Sequence, residues 1–267
     1  MTILDQLADH ARERVEAAKQ YISTEEMIQR AKDLPESKTT GAFPFEEALR
    51  KEGISFICEC KKASPSKGLI APDFPYLSIA KEYEAAGADA ISVLTEPKWF
   101  LGNNAYLKEI AEAVSIPCLR KDFTVDPYMI YEAKVLGASA VLLICSILSE
   151  DQLAEYHGIA TDLGLSVLVE THDEAEIEMA LRAGAKILGV NNRNLKDFTV
   201  DTGNSRRLRE LVPEHVIFVS ESGVSTPEDV RLLRESGVDA VLVGEALMRD
   251  VDKKKRLAEL KGDHRIM

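Results

Sequence analysis

Charged and polar residues stand at the ends of apolar, β-branched runs, where a protein core would be expected to exclude them. Ile54-Ser55-Phe56-Ile57-Cys58 leads into Glu59-Cys60-Lys61, Ile116-Pro117-Cys118-Leu119 into Arg120-Lys121-Asp122, and Val167-Leu168-Val169 into Glu170. Ile187-Leu188-Gly189-Val190 ends in Asn191-Asn192-Arg193, and Val216-Ile217-Phe218-Val219 in Ser220-Glu221-Ser222-Gly223. Lys, Glu and Arg are almost never buried unless paired or employed, because desolvating a charge is costly. If the runs are parallel strands, these ends meet at one rim and form an acid–base site. Glu59 and Lys61 are two apart and share the face that holds Ile57. An internal ion pair there would be a weak source of stability, which favours function. Reading Leu119 inward places Lys121 inside and Arg120 outside. Lys121, partly desolvated near other cations, is expected to have a lowered pKa and to act as an acid near neutrality; it could equally form a Schiff base. Glu170, on the opposite wall, would take or return a proton. His172 lies two residues further, in a loop, and is read as incidental to the chemistry. Asn191 and Arg193 share a face, and Arg193 offers a forked donor for a carboxylate. Ser222-Gly223 and Gly244-Glu245-Ala246, after the last two strands, offer backbone N–H groups where barrels hold phosphate.

The elements that must hold these groups follow from a repeated cadence in which a helix ends in Gly and a strand begins at once. It occurs at Gly87, Gly137, Gly184 and Gly237, ahead of the runs at 90–94, 140–145, 187–191 and 240–243. Gly suits the left-handed residue that ends a helix, and a compact loop then feeds the next strand. Eight strands are predicted, near 54–60, 90–94, 116–120, 140–145, 166–170, 187–191, 216–220 and 240–243, with helical patterns between them. Tyr76–Tyr83 has helical spacing, and Asp126-Pro127 and Thr226-Pro227 are capped helix starts. The first strand is not followed by the glycine fingerprint of a dinucleotide-binding sheet, so a closed (β/α)8 TIM barrel is preferred over an open one. The whole chain, 1–267, is read as a single barrel domain in which 1–50 form an N-terminal helical extension. Ile3, Leu4, Leu7, Ala11, Val15 and Ala18 make an apolar helical stripe, and Phe43–Arg50 reads as a short helix. This extension either caps or flanks the barrel or covers the mouth of the site.

Composition narrows the function classes. The 267 residues are 45% hydrophobic and 29% charged, with a net charge of −12. No apolar run approaches the ~20 residues that cross a bilayer, and the N-terminus lacks a targeting pattern. A cytoplasmic protein without membrane or nucleic-acid partners is expected, since nucleic acid demands a positive surface. Cys58, Cys60, Cys118 and Cys145 lie in strand-like runs and read as small buried hydrophobes rather than zinc ligands.

The motifs Glu59-Cys60-Lys61-Lys62-Ala63-Ser64-Pro65-Ser66, Leu94-Thr95-Glu96 with Phe100, Leu119-Arg120-Lys121-Asp122-Phe123, Val169-Glu170, Asn191-Asn192-Arg193-Asn194-Leu195, Glu221-Ser222-Gly223 and Val243-Gly244-Glu245-Ala246 are similar in order and spacing to those of the indole-3-glycerol-phosphate synthase family. The resemblance covers essentially the whole chain, including the helical extension. It implies tryptophan biosynthesis and the substrate 1-(2-carboxyphenylamino)-1-deoxyribulose 5-phosphate, closed to an indole with loss of carbon dioxide and water. By this resemblance Lys121, Glu170, Lys61, Glu59 and Asn191 are catalytic. Arg193, Glu221, Ser222, Gly223, Gly244, Ser64 and Pro65 bind substrate, and Phe100, Phe123, Leu142, Leu195 and Val243 wall its ring. No metal or cofactor is implied, the partner is a phosphorylated small molecule, and a monomer is favoured. Some relatives have Ser where this chain has Glu245, which is therefore expected to point away from phosphate. A phosphoribosylanthranilate isomerase would need a Cys–Asp pair at strand ends, where Glu59 and Lys61 stand instead. A Schiff-base aldolase on Lys121 and a binding protein with a vestigial site are the other readings.

Overall fold

Each of the apolar runs becomes a strand, six of the eight buried along their whole length and the other two up to a half-buried last residue, Lys121 and Asn191. The computed structural model describes residues 2–34, 43–194 and 197–262. The strands are β1 (Ser55–Cys60), β2 (Ala90–Leu94), β3 (Cys118–Lys121), β4 (Ala140–Ile144), β5 (Ser166–Thr171), β6 (Ile187–Asn191), β7 (Ile217–Glu221) and β8 (Ala240–Val243). All neighbours are parallel, and β1 pairs with both β2 and β8, so the sheet closes into a barrel. The closed-barrel expectation holds. Parallel strands need crossover helices, which leaves both faces covered and makes the runs continuously apolar.

The glycine cadence works as expected from its chemistry. Gly87, Gly137, Gly184 and Gly237 have φ between +75° and +84°, a left-handed conformation open to Gly at little cost. The residue after each sends its N–H back into the last helical turn, as Ala88 does to the Tyr83 carbonyl and Val238 to that of Leu233. Asp126 and Thr226 are the helix caps anticipated, each with Pro at the next position.

Strand limits differ by a residue or two, and the differences matter at the rim. Ile116 and Pro117 precede β3, because Pro has no N–H to give a ladder. Lys121, Thr171 and Glu221 are inside their strands rather than beyond them, while Cys145 falls in a 3-10 turn, 145–147. Two candidate site residues, Lys121 and Glu221, thus stand within strands of the barrel rather than in the loops beyond them.

The inner face of the barrel alternates with the outer one. Ile57, Leu119, Leu142, Leu168, Ile187 and Val219 fill the interior. Above them, the register sets Glu170 beside both Ile144 and Gly189, and Glu221 beside Asn191 and Leu242.

The N-terminal extension divides between the two ends. Helix α1 (Ile3–Lys19) carries the predicted stripe, and its Ile3, Leu4 and Leu7 reach the cavity at the strands' carboxyl ends. Its Ala8, Ala11 and Val15 pack with α2 (Thr24–Lys32) against Val125, Tyr128 and Met129. Helix α3 (Pro44–Leu49) instead plugs the opposite end: Phe45 and Leu49 join the interior cluster, and the Glu46 N–H donates to the Ser166 hydroxyl. Both readings of the extension therefore apply, each to a different helix.

Candidate active site

The carboxyl ends of the strands open into a cavity of about 850 Å³. It is lined by Glu59, Lys61, Ser64, Pro65, Phe100, Lys121, Phe123, Leu142, Glu170, Asn191, Arg193, Glu221, Ser222, Gly223, Val243 and Gly244. Every predicted site residue among the described ones is there; Leu195 lies outside the described residues. Leu94, Lys67, Phe198, Thr202, Arg249 and Arg256 line it as well, together with the α1 residues already named. The α1 contribution has no local signal in the chain, since nothing in an apolar stripe says which surface it meets.

The ionisable groups form two clusters. On β1, Lys61 Nζ is 2.6 Å from Glu59 Oε2. Across the mouth, Lys121 Nζ donates to Glu170 Oε2 at 3.1 Å and lies 3.2 Å from Glu221 Oε2. Asn191 Nδ2 donates to the other Glu170 oxygen at 3.2 Å. This corrects the expectation for Lys121. Burial alone would lower its pKa, but Glu170, Glu221 and Glu59 outweigh burial and raise it, so the amine is held protonated. Its nearest charged neighbours are carboxylates, not the cations that were anticipated. Glu170 is the mirror case: burial pushes its pKa up, and Lys121, His172 and the Asn191 amide bring it below the ordinary carboxylate value. Glu221 goes the other way, pushed up to about 7 chiefly by burial and, despite Lys121, also by Glu170. Its Oε1 is buried without a hydrogen-bond partner. Two carboxylates around one ammonium therefore differ in proton affinity, and Glu221, expected only to bind substrate, sits in the same charge cluster as Lys121 and Glu170.

Two glycines make room for these carboxylates. A Cβ at Gly189 would collide with Glu221 Oε1, and one at Gly244 would collide with Glu59 Oε2 and crowd Lys61 Nζ. Gly244→Ala is expected to displace the Glu59–Lys61 pair and lower kcat/KM by about tenfold or more, since ångström misplacements are costly to positioned groups. Steady-state kinetics with unchanged far-UV circular dichroism would check this; wild-type kinetics would show that the pair tolerates displacement.

Apolar and polar walls complete the mouth. The Glu96 carboxylate accepts the N–H groups of Lys98, Trp99 and Phe100 at 2.8–3.0 Å, which fixes the loop carrying Phe100. The Phe100 and Phe123 rings lie 6.0 Å apart. The Ala63 N–H donates to the Phe100 carbonyl, tying on the turn that holds Ser64 and Pro65. Arg193 Nη1 donates to the Phe198 carbonyl at 3.2 Å rather than pairing across the strand face. Ser222 and Gly223 have φ of +66° and +89°. Glu245 borders the cavity, and its carboxylate is 3.0 Å from Arg249 Nε and 3.6 Å from Lys67 Nζ. Those two cations offset its charge, which answers the repulsion expected of an acid in this place.

A closed parallel barrel with lysine–glutamate pairs at its strand ends defines a (β/α)8 barrel enzyme. The family is fixed by likeness along the chain. The profile described as Indole-3-glycerol phosphate synthase matches residues 4–260. The chain is 56% identical over 260 residues to the indole-3-glycerol phosphate synthase of Ruminiclostridium cellulolyticum, covering 97% of this chain and 99% of that one. It is 54% identical over 259 residues to the enzyme of the same name from Endomicrobium trichonymphae, covering 97% and 99%. The chain belongs to the indole-3-glycerol phosphate synthase family. Among solved structures, a mutant tryptophan synthase alpha-subunit from Pyrococcus furiosus matches with a TM-score of 0.58 and 16% identity, over 79% of this chain and 98% of that one. KGPDC from Streptococcus mutans matches with a TM-score of 0.63 and 11% identity, over 79% and 97%. These two likenesses concern the fold alone.

Proposed function

We propose that this cavity carries out its family's reaction, closing 1-(2-carboxyphenylamino)-1-deoxyribulose 5-phosphate to indole-3-glycerol phosphate by Lys/Glu acid–base chemistry. The observation that carries the reading is the meeting of Lys61–Glu59 and Lys121–Glu170–Glu221 in one cavity beside the Phe100 and Phe123 rings. The aryl carbon bearing the carboxylate attacks the ketone carbon, and the Lys121 ammonium gives its proton to the ketone oxygen. Carbon dioxide leaves with the C–C bond to the carboxylate, returning that electron pair to the ring. The new hydroxyl then departs as water after protonation, and Glu170 takes the proton lost in forming the indole. Lys61 holds the substrate carboxylate and is the second acid at hand for dehydration, with Glu59 orienting it. Asn191 fixes Glu170 and, with Arg193, positions sugar hydroxyls and the carboxylate.

Ser222, Gly223 and Gly244 hold the phosphate, with Ser64 and Pro65 at the rim, and Phe100, Phe123, Leu142 and Val243 wall the ring. The substrate carries about three negative charges at neutral pH, two of them on phosphate. A chain of net charge −12 repels such a ligand everywhere except where cations gather, and Lys61, Lys67, Lys121, Arg193, Arg249 and Arg256 all line this cavity. A protonated Lys121 favours the acid role over a Schiff base, which needs the free amine. The chain is read as a cytoplasmic monomer whose partner is this phosphorylated molecule, without nucleic acid or membrane. Among the described residues no helix is long and apolar enough to cross a bilayer. Mixing the protein with the substrate, without added metal or cofactor, is expected to give a catalytic rise of indole fluorescence. No rise from folded protein that still binds the ligand would overturn the assignment.

A further inference from the structure

His172 lies just past β5, two residues beyond Glu170, and its environment is built. Its Nδ1 is 3.0 Å from Glu176 Oε2 and 3.2 Å from the Ser146 hydroxyl, while Ser146 itself donates to Glu176 Oε1 at 2.6 Å. The His172 N–H donates to Glu176 Oε2 at 2.8 Å, and Asn204 Nδ2 donates to the His172 carbonyl at 3.2 Å. Backbone and ring are thus fixed from three elements. The other ring nitrogen, Nε2, is buried with no hydrogen-bond partner and lies 3.6 Å from Glu170 Oε1.

The surroundings favour an imidazolium. Glu170, Glu176 and Glu221 act on the ring, and Asp173 precedes the helix that carries Glu176. Cys145 is beside Glu176 through its carbonyl. Lys121 lies beyond Glu170, and Arg207 is held off by Glu174 and Asn204. Burial works against charge on the ring, but the Glu176 hydrogen bond with the Glu170 and Glu221 carboxylates outweighs it and raises the pKa.

We propose that His172 is a positioning residue for the reaction, an imidazolium that holds Glu170 ionised and in place when substrate draws Lys121 away. Glu170 Oε2 is bonded to the ammonium that must donate its proton, whereas Oε1 faces Asn191 and His172. When Lys121 turns to the ketone oxygen, Glu170 loses its main cation in a buried site. His172 is the cation left on the other carboxylate oxygen, and it keeps the base unprotonated until dehydration. The inference rests on the reading of Glu170 as that base.

The test is the pH profile of kcat and KM for the full chain and for His172→Asn, Glu176→Gln and Glu170→Gln, with folding checked by thermal melts. In His172→Asn the acid limb of kcat is expected to move up by about one to three pH units with KM nearly unchanged, as when a carboxylate loses a neighbouring cation. The deficit then peaks on the acid side and shrinks on the alkaline side. Glu176→Gln, which loosens the imidazolium, is expected to move the limb the same way by less. An unshifted limb, or a deficit equal at every pH, would mean a merely structural histidine and overturn the proposal. Glu170→Gln separates the two readings. A loss of about 10²–10⁴-fold supports the base, so an unshifted His172→Asn beside it sinks only the His172 role. Near-normal turnover by Glu170→Gln sinks both.

Discussion

Lys121→Met is expected to lower kcat by about 10²–10⁴-fold while substrate still binds, because one positioned proton donor contributes a factor of that size. The geometry makes the loss larger than that of a single hydrogen bond. Lys121 Nζ is shared by Glu170 and Glu221, two carboxylates that are 4% and 2% exposed. Without the ammonium, both lose their main attraction and retain the cost of burial; Glu221, already pushed up to about 7, rises further and takes up a proton near neutrality, while His172 remains beside Glu170. The variant therefore loses the acid and the cation that offsets the Glu221 carboxylate. Stability should report the same event. A carboxylate whose folded pKa is raised destabilises the protein once pH passes its unfolded pKa, and the deficit is complete above the folded value. The melting temperature of Lys121→Met should thus match wild type near about pH 4 and fall below it towards neutrality and above. Single-turnover kinetics and melts across pH would test both halves. Near-normal turnover would remove Lys121 from the acid role, and a pH-independent difference in melting would show that the carboxylates had found another cation.

How much of this is legible in the chain depends on the range of the interaction. Alternation is local, so Ile57, Glu59 and Lys61 can be placed inward together, and Leu119 with Lys121, before any strand pairing is known. The Gly87, Gly137, Gly184 and Gly237 turns are local too, since each needs only its own positive φ. Charge environment is not local. Lys121 reads as an amine among cations until β5 and β7 are seen to deliver Glu170 and Glu221 to it, and those strands are separated from it by roughly fifty and a hundred residues. Glu221 reads as a strand-end acid that binds substrate, and nothing near it in the chain says that its side chain meets Lys121 over the bare Gly189. His172 reads as incidental because its partners Glu176 and Ser146 come from different elements. The split of the N-terminal extension, α1 at the mouth and α3 in the opposite end, cannot be derived from the amphipathic stripes, which say only that each helix buries one face.

The same long-range logic predicts the largest loss of stability at a residue given no part in the chemistry. Asp122 follows Lys121, is completely buried and borders the cavity. It accepts from Arg14 Nη2 at 2.6 Å and Nη1 at 3.1 Å, from the Thr95 hydroxyl at 2.5 Å and from the Phe123 N–H at 2.8 Å. Arg120 Nη2 is 3.8 Å away and donates to Glu132 and Asn104, while Arg120 Nη1 donates to the Met129 carbonyl. Burial would raise the Asp122 pKa, but Arg14, Arg120 and Thr95 outweigh it and hold the carboxyl below its ordinary range. Its contribution is therefore present above about pH 4, the unfolded value, and is lost as pH falls through the depressed folded value. Asp122→Ala leaves Arg14 and Arg120 short of a buried counter-charge, a change that costs about 3–5 kcal/mol when one partner of a buried pair is removed. For a chain of this size that is a fall in melting temperature of about 6–20 °C. Asp9→Ala, which breaks only the exposed Arg12 pair on the same helix, should leave the melt unchanged. Because Arg14 lies on α1 and Ile3, Leu4 and Leu7 of that helix line the mouth, Asp122→Ala should also raise KM. A melt equal to wild type would show that α1 is held by its apolar packing on Tyr128 and Met129 alone.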